Sequence, residues 1–415
     1  MKKTILFLLV VFMLFPAAVF AGGSKEKPKE GYPPEMDAWA KDAKLGIYDK
    51  DQDWDEIIEK AKQEGSVVVY ASSSRIASAG AEFSKIYPEI KVESFDLGSV
   101  KTFEKTIQEQ DAGLYNADII TTGGSGNYYF ELLEKNRIVN FVPSTHADNI
   151  SRENKDPLLV RINEAIVFMY NMENHESQPI NNLWELTTEK YRGKVVIKNP
   201  LASLSNLMGI ATIVQHADEM EKAYKKFSGE KLVLSEGVPD AGYEWLYRLI
   251  HNDLVILKSG GGVAKASGQK GQKNAPIAIG PLAYGASYNR NKDYVNGIMF
   301  PLEPADGVIY PTYMSIARQA PHPNAAKLFT AYLLGNPDVT SDMKIEEPYT
   351  EGESVKILQG MAPYYFAGAM SPLKTMPVAP DVKDWDKMNM WTVDPEFMWY
   401  DGPKVQDFWM KETAE

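Results

Sequence analysis

Short apolar runs that end in small or hydroxyl residues and then open a helix constrain this chain more than any other feature. Val67-Val-Val-Tyr70, Asp118-Ile-Ile-Thr121 and Lys194-Val-Val-Ile-Lys198 are too short for buried helices. They read as strands covered on both faces, as central parallel strands are. Between and around them the spacing turns helical: residues 54–64 stop at Gly65, 77–87 close at Pro88, 100–112 end at Gly113, and 128–135 follow. Residues 90–95 alternate as a strand. Strand and helix in strict alternation predict an α/β fold, a parallel sheet with helices on both faces.

The second half is less regular. Residues 158–170 read as extended and 171–182 as a loop. Helices are predicted over 206–216, 241–252 and 324–334, and strands over 276–280, 298–301 and 313–317. From Pro337 onward the chain is rich in Met, Pro, Trp and Tyr with weak periodicity. That aromatic content predicts a packed extension rather than a disordered tail.

Candidate chemistry gathers where the apolar runs end. Ser72, Ser73, Ser74 and Arg75 follow the first run. Thr122, Gly123 and Gly124 follow the second, and Ser203, Ser205 and Asn206 follow the third. The first N–H groups of a helix lack partners and its dipole is positive there, so such places hold phosphate or carboxylate. In open α/β sheets ligands also lie beyond the carboxyl ends of the strands. The plainer reading of each serine is an N-cap; recurrence in one register favours a shared site, and Arg75 can grip a phosphate at two points. The stretch 258–265 (KSGGGVAK), with Ser259 and Gly260, is either a turn before a helix or a backbone nest for an anion. It lacks the Walker A and dinucleotide spacings. Tyr284 and Tyr288 follow the 276–280 strand, and Tyr310 and Tyr313 flank Pro311. A tyrosine so placed can line an organic ligand. No nucleophile–base pair, Gly-x-Ser-x-Gly elbow or His-Glu-x-x-His motif is present, so no enzyme is expected.

The N-terminus predicts export. Lys2 and Lys3 precede an apolar run over 5–15, Pro16 breaks it, and Val19-Phe20-Ala21 completes a cleavable signal peptide over 1–21. The run is short for a membrane span. Cleavage would remove two lysines and no acid from a chain of 415 residues with 44 basic and 56 acidic side chains. A net acidic surface argues against nucleic acid as partner. With no cysteine there is no disulfide, thiolate metal site or lipidated cysteine. A free periplasmic monomer without a cofactor is expected.

Residues 54–120 (WDEIIEKAKQEGSVVVYASSSR…FSKIYPEIKVESFDLGS…EQDAGLYNADII) and 320–334 (APHPNAAKLFTAYLL) resemble the extracellular solute-binding proteins of ABC importers. The resemblance covers about 50–340 and falls in the branch that binds ferric ion, thiamine or phosphorylated solutes. It implies a two-lobed periplasmic-binding-protein fold (type II) with the ligand cleft between lobes, and an ABC permease in the inner membrane as partner. Lobe one would comprise 45–160 plus 300–415, and lobe two 165–295. Ferric-binding relatives carry adjacent tyrosines after the strand matching 276–280. Here Tyr284 matches, its neighbour does not, and Tyr288 is four residues on. Iron on Tyr284 and Tyr288 is therefore the alternative. The pairs Tyr128-Tyr129 and Tyr364-Tyr365 are expected to lie elsewhere, in helix or tail packing. The expected ligand is a phosphorylated small organic molecule, thiamine pyrophosphate or a sugar phosphate. Ser72–Arg75, Thr122–Gly124, Ser203, Ser205, Asn206, Ser259, Gly260, Tyr284 and Tyr313 are its candidate contacts.

Overall fold

The computed structural model describes residues 32–290, 293–349, 351–382 and 384–414; the expected signal peptide lies outside them. The strands are β1 (Ser66–Ala71), β2 (Lys91–Asp96), β3 (Ile119–Thr122), β4 (Ile138–Val139), β5 (Val160–Asn171) and β6 (Val195–Lys198). They continue with β7 (Val255–Leu257), β8 (Ile277–Pro281), β9 (Asn296–Ile298), β10 (Gly307–Ala317) and β11 (Met390–Thr392). The sheet order is β2-β1-β3-β10-β5-β8-β6-β7. Strands β2-β1-β3 are parallel, as are β8-β6-β7. The long strands β5 and β10 run antiparallel to each other between these halves, and each also pairs antiparallel with one half. They are the crossovers that join two α/β lobes.

The local chemistry explains the elements. The helix Trp54–Glu64 keeps its predicted bounds: Asp53 accepts from the Glu56 N–H at its start, and Gly65 ends it at φ 70°. Strand β10 begins six residues before the predicted 313. Pro311 reads as a break in sequence, yet it sits opposite Asn163, next to a register shift between Thr312 and Tyr313. A strand accommodates a residue without an N–H beside such an irregularity. The glycine-rich stretch resolves as a helix, Gly260–Gly268, with the Ser259 hydroxyl accepting from the Gly262 N–H.

The extension after Pro337 is packed and divides between the lobes. Met361, Tyr364, Leu373 and Met376 join the main core with Ile76, Phe83 and Phe329. Farther on, β11 adds parallel to the start of β10. Val393, Val405 and Trp409 then join the second lobe's core with Trp184, Trp245 and Ile213. The sequence reading places all of 300–415 on lobe one, and the last stretch departs from that. Its segment 395–400 also reaches back to the first lobe, where Trp399 stacks on Phe130 at 5.3 Å. Gly126 permits this approach, because a Cβ there would lie 3.0 Å from the Trp399 nitrogen.

Lys327 is a buried cation of lobe one. Its ammonium is 2% exposed and donates to the Ala43 and Lys44 carbonyls at 2.5 and 3.2 Å. Burial pushes its pKa down to about 8, with Asp49 opposing the shift. The unfolded chain therefore holds this proton between about pH 8 and 10.5 while the folded chain does not, so this group's contribution to stability rises with pH across that window. The penalty below pH 8 amounts to about 3 kcal/mol. Lys327→Met is expected to be favoured over wild type at pH 7 by more than at pH 10. Urea melts of both proteins at the two pH values check this. A pH-independent difference would show that the ammonium carries no penalty.

Candidate functional site

Helix N-termini from both lobes face one cleft that lies over the crossover strands. The residues opening the helices Arg75–Ile86, Ser99–Asp111, Leu204–Gln215 and Leu282–Asn289 all line it: Ser73 and Arg75, Gly98 and Ser99, Ser203 and Ser205, Pro281 and Ala283. The lobes touch across it. Arg75 Nη2 donates to the Ser287 hydroxyl at 3.3 Å, and the Leu204 N–H donates to Ser99 Oγ at 3.4 Å.

Of the residues expected from sequence, Ser72, Ser73, Arg75, Gly123, Ser203, Ser205 and Tyr284 line the cleft. Others stand immediately behind it. Thr122 is fully buried and donates to the Gly123 carbonyl at 3.1 Å. Gly124, at φ 106°, packs against Phe103 and Leu204, where a Cβ would come within 2.9 Å of both. Asn206 donates to Ser203 Oγ at 2.9 Å, and its own Oδ1 is buried without a partner. Gly260 backs Tyr284, whose ring occupies the place a Cβ would take. The remainder lie away from the lining. Ser74 is exposed, and Ser259 is committed to its helix cap. Tyr313 packs in the first lobe against Tyr128 at 5.2 Å. Tyr288 turns toward Gly261 and Tyr294, so Tyr284 and Tyr288 do not converge in the cleft.

The residues that sequence reasoning missed carry most of the charge. Arg161, Glu164 and Lys198 line the cleft, with Tyr310, Thr312 and Tyr364. Arg161, 2% exposed, donates from Nε to Thr121 Oγ1 at 2.9 Å and lies 3.9 Å over the Tyr364 ring. Its Nη1 is buried without a hydrogen-bond partner. Lys198 ends β6, and burial lowers its pKa. The lining thus holds three cations, Arg75, Arg161 and Lys198, against one acid, Glu164. Tyr364, expected in tail packing, contributes to the cleft instead, while Tyr365 packs on Tyr349. Signals existed for some of these. Arg161 and Glu164 interrupt an apolar extended run, and Lys198 sits at the carboxyl end of a buried strand. Nothing local marks Tyr364.

Burial also fixes the state of the phenols. It pushes the Tyr284 hydroxyl up to about 12, helped by the Glu164 charge and opposed by Asn206 and Arg75. Burial and Glu164 raise Tyr310 well above its ordinary range. Both are neutral donors at physiological pH. The arrangement offers backbone N–H groups, hydroxyls, phenols and cations to an anionic ligand.

A family profile described as bacterial extracellular solute-binding protein matches residues 116–343. The chain belongs to that family. Its fold is that of the type II periplasmic binding proteins. Iron-bound HitA from Pseudomonas aeruginosa superposes with a TM-score of 0.61 at 14% identity, over 84% of this chain and 99% of that one. AfuA from Actinobacillus pleuropneumoniae, with exogenous fructose-6-phosphate bound, gives 0.60 at 19% identity, again over 84% and 99%. The Trichodesmium protein IdiA (FutA), in complex with iron and citrate, gives 0.54 at 18% over 83% and 98%. No curated protein matches the sequence at a significant level. No described helix is long and apolar enough to cross a membrane.

Proposed function

We propose that this chain is the periplasmic solute-capturing component of an ABC importer. In this reading it takes a phosphorylated small organic molecule, a sugar phosphate or thiamine pyrophosphate, into the interlobe cleft and presents it to the permease. The observation that carries the reading is the cation set: Arg75, Arg161 and Lys198 converge where helix N-termini point inward, and Arg161 keeps a buried Nη1 unpartnered. A buried guanidinium N–H without a partner is costly, and a phosphate oxygen would satisfy it. AfuA, with its bound fructose-6-phosphate, shares the fold and lends the reading support. Lobe closure over the ligand would then be the signal to the permease.

Ferric ion is the second reading, since Tyr284, Tyr310, Tyr364 and Glu164 all line the cleft and HitA is iron-bound. The cations oppose it, and so do phenols held neutral by burial. A thermal-shift panel on refolded, ligand-free protein separates the two. Thiamine pyrophosphate, glucose 6-phosphate, inorganic phosphate and ferric citrate are its members. A ligand at about 100 times its Kd adds roughly 2.7 kcal/mol. A phosphorylated compound is expected to shift the melt, and Arg75→Ala to weaken it more than tenfold by calorimetry. A shift with ferric citrate alone, with a tyrosinate–iron absorbance band, would replace this reading by the iron one.

A further inference from the structure

We infer that Glu164 reads the body of the ligand, and that this body is a polyol; the inference rests on the phosphate reading above. Glu164 lies on β5 opposite Tyr310 and lines the same cleft as Arg75, Arg161 and Lys198. No ion pair engages it among the described residues, and its one hydrogen bond is a long donation from Thr312 Oγ1 at 3.5 Å. Its charge is felt at Tyr284, Tyr310 and Tyr364, the same phenols that feel Arg75. The carboxylate is therefore central to the cleft, and it only accepts hydrogen bonds. Toward a phosphate it is repulsive. A site built for inorganic phosphate or pyrophosphate alone gains nothing from it. A ligand whose body donates hydrogen bonds does, because an ionised acceptor makes the stronger bond.

The aromatic side chains decide which donor-bearing body fits. A flat heteroaromatic body needs open ring faces. One face of Tyr284 is closed by Gly260. The Tyr364 ring is covered by the Arg161 guanidinium at 3.9 Å, and Tyr310 is 3% exposed. No tryptophan lines the cleft. The walls instead present the hydroxyls of Ser72, Ser73, Ser203, Ser205 and Thr312. Hydroxyls around the body, with cations around the head, suit a sugar or polyol phosphate over a thiamine ester, whose thiazolium cation would pair with the carboxylate but finds no open ring face to stack on.

Isothermal titration of wild type and Glu164→Gln with glucose 6-phosphate, glycerol 3-phosphate, thiamine pyrophosphate and inorganic phosphate tests this. The isosteric variant removes the charge and keeps the shape. It is expected to bind the better of the two polyol phosphates at least tenfold more weakly. It should bind inorganic phosphate equally or more tightly, because a repulsion has gone. A loss for the polyol phosphate without a loss for inorganic phosphate cannot come from a general loss of folding. If the variant weakens both alike, or if wild type prefers thiamine pyrophosphate to both polyol phosphates, the inference falls while the phosphate reading stands. If wild type binds none of the four, both fall.

Discussion

Arg161→Met is expected to weaken the phosphorylated ligand about a hundredfold, which is about 2.7 kcal/mol. The side chain is nearly sealed from solvent. Its Nε is engaged by Thr121, its face by Tyr364, and its Nη1 by nothing. An anionic oxygen at Nη1 makes a charge-assisted bond worth about 1.5–3 kcal/mol. Removing the charge also weakens the field on the rest of the head group, so the upper part of that range is expected. The ligand-free protein should melt at the same temperature or higher. A buried charge without a counter-ion is a cost in the empty state, and methionine fills much of the space without that cost. The two readouts together separate roles. A purely structural arginine would give a lower melting temperature and unchanged affinity, and that pair of results would remove Arg161 from the site. Arg161→Lys is expected to recover only part of the affinity, because an ammonium neither stacks on Tyr364 as a plane nor reaches Thr121 and the ligand at once.

The framework of both lobes was legible where its signals are local. Gly65 ends the helix Trp54–Glu64, Pro88 closes the next, and the apolar runs mark β1, β3 and β6 within a residue or two. The hydroxyl-rich ends of those runs led to Ser73, Ser203 and Ser205, because a ligand cleft beyond strand ends is a property of the topology. The crossovers were harder. Arg161 and Glu164 lie in a strand whose neighbours, β10 and β8, are more than a hundred residues away in sequence, and only that pairing turns their side chains into a cleft. Tyr313 shows the reverse. It flanks Pro311 as Tyr310 does, yet Tyr310 and Thr312 line the cleft from one face of β10, while Tyr313, at odd spacing from both, packs on the other face against Tyr128. Pro311 reads as a break in sequence, which hides that Tyr310 and Tyr313 share one strand. Tyr364 belongs to a stretch without periodicity and reaches the site only because the Asn163–Met370 bridge pins that stretch against β5.

Trp409→Ala is expected to cost about 3–5 kcal/mol of stability, the range for deleting a large, fully buried aromatic side chain. Trp409 is 1% exposed and lies on the helix Gly402–Thr413, the last element among the described residues. It belongs to the second lobe's core with Val405, which is fully buried, and Val393. The same segment is held by polar contacts: His251 Nε2 and Glu412 are 3.0 Å apart, Gln215 donates to Asp394 at 3.1 Å, and Trp391 stacks on His216 at 4.1 Å. Polar contacts of this kind add only modest net stability, so most of the docking energy must come from the buried side chains. Because Trp399 also touches Phe130 of the first lobe, the extension spans both lobes. Loss of Trp409 should therefore lower the urea midpoint strongly and loosen the grip of residues 390–413. Limited proteolysis should then cut first in that segment, and ligand affinity should change less than stability does. If the variant melts within about 1 kcal/mol of wild type, below the usual cost of such a cavity, the extension is not part of the second lobe's core, and the lobe must fold without it.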